Sequence, residues 1–133
     1  MKPESHVAVP YLSIAGHVAS RDVGGIRRRV RAFAAEHGAS AQMLAAIQLA
    51  VTEAVVNAVR HGYGGAGGEV RVDVDVEEGE LEVVVADGGR GFASEPDEGL
   101  GLGLALMRAG SSAFEVRDRS LGGVEVWMRF RID

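Results

Sequence analysis

The chain has 133 residues, 19 of them acidic and 14 basic, with a net charge of −5 and no cysteine. That length suits a single domain over residues 1–133. The acidic balance argues against general DNA or RNA binding, and the missing thiols exclude disulfides, Cys-ligated zinc, iron–sulfur clusters and a Cys nucleophile. Its four histidines stand far apart, which argues against a dedicated His metal site. No apolar run approaches the roughly 20 residues of a membrane span, and the start MKPESHVAVP has no apolar signal core. No membrane contact is expected, and the expected location is the cytoplasm.

In chain order, residues 7–14 (VAVPYLSI) read as an edge strand, because Pro10 cannot donate to a ladder. Ser20 is placed to cap a helix running to about His37, with Val23, Ile26, Val30 and Phe33 at helical spacing and Gly38 as the stop. Gly24 and Gly25 weaken its first turn. Ser40 is placed to cap a second helix from Ala41 to about His61, closed by Gly62. Residues 62–68 (GYGGAGG) hold five glycines and form a loop. Val70, Val72, Val74 and Val76 alternate with polar residues, Glu78-Gly79 turns the chain, and Leu81, Val83 and Val85 alternate in their turn. This is a hairpin of half-buried strands. A glycine-rich segment follows, with a short helix near Leu102–Arg108 and Gly110 past its end. A strand around Phe114 and Val116, a turn at Gly122-Gly123 and a last strand with Val124, Val126, Met128, Phe130 and Ile132 on one face complete the chain. The predicted class is α+β: a two-layer α/β sandwich, its mixed, mostly antiparallel sheet covered by helices on one face. The other sheet face is either solvated or paired with a partner.

At about 100° per residue, Leu44, Ile47, Val51, Val55 and Val59 form the core stripe of the second helix. Glu53, Asn57 and His61, spaced i, i+4, i+8, line up away from that stripe among Ala46, Ala50 and Ala54. Asn57 is the chain's single asparagine, kept in a helix interior where Asn is a poor helix former. Either this is an exposed helix back, or small neighbours mark a surface that something approaches closely. In the second case a carboxylate beside an amide oxygen can hold Mg²⁺ and accept a hydroxyl proton.

DGGRGF (87–92) directly follows a strand. Its glycines permit close approach of a ligand to the backbone, and Asp87 can accept hydrogen bonds from an exocyclic amine; a tight loop with a capping Asp is the plainer alternative. GLGLGL (99–104) leads into a helix, where free backbone N–H groups suit phosphate, although close helix packing would use the same glycines. It is neither a P-loop nor a Rossmann fingerprint.

The order is more specific than any part. A helix with ExxxN is followed about 30 residues later by DxGxG at a strand end, then by GxGxG before a helix. Through TEAVVNAVRHGYG (52–64), LEVVVADGGRGF (81–92) and GLGLALM (101–107) the chain resembles the GHKL (Bergerat-fold) ATP-binding superfamily, and within it the anti-sigma factor serine/threonine kinases. The resemblance covers nearly the whole chain. It implies ATP and Mg²⁺ as cofactors, with Asn57 coordinating Mg²⁺ on the nucleotide phosphates and Glu53 as general base. It implies that Asp87 reads the adenine amine, that Gly89 and Gly91 line the nucleotide pocket, and that Gly101 and Gly103 open backbone amides to phosphate. Arg60 and His61 match a polar end of the same motif, and residues 93–100 a short lid. The implied partners are a sigma factor and an antagonist (anti-anti-sigma) protein, with a homodimer compatible and no direct nucleic-acid contact.

The chain departs from the family where a basic residue commonly precedes the last glycine motif. Here EPDEGL (95–100) is acidic, and Arg90 is the nearest cation. Losing a charge clamp weakens phosphoryl transfer more than it weakens binding. The readings are therefore a kinase that phosphorylates a partner serine or threonine and sequesters a sigma factor, or a nucleotide-dependent binding module without significant kinase activity. A histidine-kinase catalytic fragment is disfavoured, because no dimerisation helix with a phosphoacceptor precedes the fold. Arg27, Arg28, Arg29 and Arg31 form a basic side of the first helix, either a solvated face or a dock for an acidic partner. Trp127 faces outward, toward a partner or under the N-terminal segment.

Overall fold

Period-two patterning decides the sheet. The computed structural model describes residues 9–62, 66–89, 109–119 and 122–132, with backbone alone at 61 and 62. Five strands, β1 (Tyr11–Val18), β2 (Gly68–Glu77), β3 (Glu80–Asp87), β4 (Ala113–Asp118) and β5 (Val124–Arg131), pair in the order β1-β2-β3-β5-β4. Every pairing among them is antiparallel. Two apolar rows cross the whole sheet. One is Ile14, Val72, Val85, Val126 and Val116; the other is Leu12, Val74, Val83, Met128 and Phe114. The central members of both rows are buried, and at about 1.5–3 kcal/mol per buried apolar side chain these rows are a main source of stability.

Among the described residues two helices, α1 (Val23–Glu36) and α2 (Ala41–Asn57), cover that face. From α1, Val23, Ile26, Val30 and Ala34 enter the core; from α2, Leu44, Ile47, Val51 and Val55 do so. The fold is thus the expected two-layer α+β sandwich. By length and composition the stretch Ala41–Arg60 could cross a membrane, with a mean hydropathy of 1.4, which the reading of the sequence did not anticipate. Its apolarity has a local cause: α2 is the central core helix, and half of that stretch is buried inside the fold.

Several boundaries differ from the sequence reading, each for a physical reason. Among the described residues the first strand begins after Pro10, which contributes only its carbonyl, accepting from Val76 N–H at 3.2 Å; residues 7 and 8 lie outside the described residues. Ser20 does not cap α1; it opens a 3-10 turn, Ser20–Asp22, closed in both directions. Asp22 N–H donates to the Ala19 carbonyl at 2.9 Å, and Ala19 N–H donates to the Asp22 carboxylate at 2.9 Å. Ser40 caps α2 as expected, its hydroxyl accepting from Met43 N–H at 3.1 Å. Gly110 lies in a helical turn rather than past it, close enough that a Cβ there would sit 3.5 Å from the Ala46 Cβ. Residues 102–108 lie outside the described residues.

The second sheet face is solvated among the described residues and laced with charge. Arg71 pairs with Asp73 at 2.7 Å, Arg117 with Glu115 at 2.9 Å and Arg129 with Glu82 at 3.4 Å. Trp127 lies under the Arg117 guanidinium, 4.5 Å from ring centroid to carbon, and its indole N–H donates to Glu125 at 3.2 Å. Its apolar body is therefore covered by a neighbouring strand's side chain.

Candidate functional site

The site grows from one end of the sheet. The alternation that puts Leu81, Val83 and Val85 on the helix-covered face puts Asp87 there too, in register with Val70. A carboxylate thus takes the place of an apolar side chain at the last position of a core strand, and it is 6% exposed. Burial raises its pKa above the usual aspartate range, opposed by hydrogen bonds from the backbone N–H groups of Gly89 and Val124 and by the charge of Arg119. The Gly89 bond, 3.0 Å to Oδ1, closes an Asx turn that bends the chain off the strand. A buried carboxylate with acceptor capacity to spare suits a ligand that brings hydrogen-bond donors.

Asn57 reaches the same end by another route. The ladder aligns Val18, Gly68, Val70 and Asp87 at one edge of the sheet, and the chain leaving α2 enters β2 there. A π-helical turn, Ala58–Gly62, joins them and packs against β3. Asn57 is the last α-helical residue before it, 8% exposed, and its Nδ2 is fully buried with no hydrogen-bond partner among the described residues. Leaving such a group unpaired costs about 1–3 kcal/mol, so a water or a ligand oxygen that accepts its N–H is favoured there. Thr52 Oγ1, five residues earlier, is likewise buried and unpaired. Glu53 lies one helical turn before Asn57 and is partly exposed.

The straight Glu53–Asn57–His61 line does not hold through its last member. The change to i→i+5 bonding after Asn57 widens the helix and turns the backbone of His61 out of register. The alanines also differ from the reading. Ala50 and Ala54 belong to the buried face of α2, and what approaches Ala46 closely is the chain's own Gly110. Gly91, Gly101, Gly103 and the lid 93–100 lie outside the described residues.

Three contributors were not foreseen. The ladder between β3 and β5 ends at Ala86–Glu125, one residue short of Asp87. There the Asp87 side chain takes the Val124 N–H, and Arg119 Nη1 donates to the Asp87 backbone carbonyl at 2.8 Å. Gly123 lies so close that a Cβ on it would stand 1.9 Å from that carbonyl oxygen. The sequence signal was the Gly122-Gly123 pair, read only as a turn.

Among the described residues no cluster of three or more His, Cys, Asp or Glu could hold a metal ion. The donor set fits a cation that arrives already bound to phosphate. Mg²⁺ commonly takes one or two protein ligands with phosphates and water filling the rest, and the Asn57 amide can offer oxygen to the cation and N–H to a phosphate oxygen.

The histidine kinase-like ATPase domain family matches residues 18–130. The chain belongs to this family. Its structure is similar to that of the RsbU and RsbW domains of Rv1364c from Mycobacterium tuberculosis, with 26% identity and a TM-score of 0.74. That match covers 92% of this chain and 32% of the other, so the chain spans about a third of its length. No curated protein matches. This histidine kinase-like ATPase domain therefore carries the fold that its three motifs suggested, with Asn57 and Asp87 brought to one end of the sheet.

Proposed function

We propose that this domain binds Mg·ATP at the sheet end marked by Asn57 and Asp87 and transfers the γ-phosphoryl group to a serine or threonine of an antagonist protein, while sequestering a sigma factor. The observation that carries the reading is the buried, unpartnered amide of Asn57 one helical turn from Glu53. Family membership and the likeness to an RsbW domain support the partners and a cytoplasmic setting.

In this reading Asp87 accepts the adenine amine and Asn57 holds the phosphate end. The metal supplies charge neutralisation on the phosphates. Glu53 takes the proton from the partner hydroxyl as its oxygen bonds to the γ-phosphorus and the bond to the β,γ-bridging oxygen breaks, releasing ADP. The acidic stretch 95–100 favours a second reading, in which nucleotide only shapes the partner surface and transfer is negligible.

Radiolabelled transfer to candidate antagonist proteins separates the two. Glu53→Gln keeps shape and removes basicity, so it abolishes transfer and leaves Mg·ATP affinity within a few-fold; Asn57→Ala damages both. A wild-type domain that transfers nothing, yet binds a sigma-like partner in a nucleotide-dependent way, establishes the second reading.

A further inference from the structure

Asp87 has two jobs at one residue. Its side chain accepts the N–H groups of Gly89 and Val124, and its backbone carbonyl ends the strand. That carbonyl lies one step past the β3–β5 register, so no ladder N–H is paired with it there. The β4–β5 turn takes over. Arg119 N–H donates to the Gly123 carbonyl at 2.9 Å, and Gly122 N–H donates to the Arg119 carbonyl at 3.1 Å, which holds the turn closed. The closed turn sets the Arg119 guanidinium 2.8 Å from the Asp87 carbonyl and brings Gly123, at φ +95°, against the same oxygen.

We infer that Arg119 is a positioning residue for base recognition: by clamping the Asp87 peptide from the β4–β5 turn, it fixes the direction of the Asp87 carboxylate and so sets how strongly the site prefers an aminopurine nucleotide. The inference rests on the proposal that Asp87 reads the base amine. The geometry favours it on two grounds. A charge-assisted bond to a backbone carbonyl is short and directional, so it restrains the peptide that carries the carboxylate. Among the described residues Arg119 is also the only charged group acting on that carboxylate, since its register partner on β2 is Val70 and its contacts on β5 and beyond β3 are backbone N–H groups. Arg119 is itself exposed, so its substitution removes little core packing.

The test is calorimetric titration with Mg·ADP and with Mg-bound purine riboside diphosphate, which lacks the 6-amino group. Wild type prefers ADP, and Asp87→Asn removes the preference. If Asp87→Asn retains it, the base reading fails and the inference falls with it. With the Asp87 result as expected, Arg119→Met reduces the preference by about three- to tenfold through weaker ADP binding, with the analogue unaffected. Equal weakening of both nucleotides, or no weakening, overturns the inference and leaves the base reading standing.

Arg119→Gln keeps a donor for the carbonyl but no charge. It restores part of the preference, and it moves the loss of ADP binding to higher pH, because without the cation Asp87 takes up a proton sooner as the pH falls. If Arg119→Met does not fold, the Gln variant's pH profile decides, and an unmoved profile overturns the inference.

Discussion

Asp87 ends a core strand with a buried carboxylate, which the proposed function assigns to the nucleotide base. Its burial holds its pKa up, while two backbone N–H groups and Arg119 hold the carboxylate in place. A site built to pair a ligand amine is left with a mismatched group when altered, so Asp87→Asn weakens ADP or ATP by roughly tenfold or more. Arg27→Ala and Arg28→Ala, on α1, leave nucleotide affinity within about twofold, since no contact links either arginine to Asp87 among the described residues and solvent screens their charge. Calorimetry on the three variants checks the ranking. If the α1 variants weaken binding more, the pocket lies elsewhere.

At the scale of elements, Gly123 in the β4–β5 turn is, among the described glycines, the one where an added methyl group meets the closest atom. Gly123 combines a φ of +95° with space for no Cβ, because the clashing atom is a backbone oxygen that cannot swing away. Gly123→Ala therefore destabilises the fold by about 2 kcal/mol or more, and what remains folded binds nucleotide poorly. By contrast, Gly38→Ala meets no neighbouring atom and suffers only the backbone strain of φ +99°. Comparative urea denaturation should therefore place Gly123→Ala clearly below Gly38→Ala. The π-helical turn after Asn57 belongs to the same scale. It changes the hydrogen-bond spacing right after the site asparagine, so residues beyond Asn57 follow a different line from Glu53.

Across the whole molecule, charge is divided between the two faces of the sheet. Apart from Asp87, the helix-covered face of β2 and β3 is apolar, and their open face carries Glu69, Asp73, Asp75, Glu77, Glu80 and Glu82 against Arg71. Asp75 shows the consequence. Burial, then Glu82 and Glu77, raise its pKa above the usual aspartate range, and Arg129 offsets only part of this. A carboxylate whose folded pKa is raised is less comfortable ionised in the fold than in the unfolded chain. It therefore costs stability above its folded pKa, and the cost disappears as the pH falls to the ordinary carboxylate range. Asp75→Asn raises stability at pH 7 by about 0.5 kcal/mol or less, since the site is partly solvated, and the gain vanishes in acid. Thermal melts at both pH values read it.

The sequence by itself determined the α+β class and the strands and helices of the described residues, because each depends on local chemistry. Valines at every second position make half-buried strands, Ser40 before an apolar-periodic run makes a capped helix, and Glu-Ala-Val-Val-Asn puts two polar groups one turn apart. Even the burial of Asp87 was legible in principle, since it shares the parity of Leu81, Val83 and Val85. The strand order was not. Inserting β5 between β3 and β4 is a long-range pairing decided by the helices and by two apolar rows that must run unbroken across five strands. Only that order brings the turn at 119–123 against the end of β3, 32 residues away in sequence, and gives Asp87 its clamp from Arg119. The unpaired state of the Asn57 amide is likewise a tertiary fact. A sequence states that a donor exists, but whether a partner lies within 3.5 Å depends on every element packed around it.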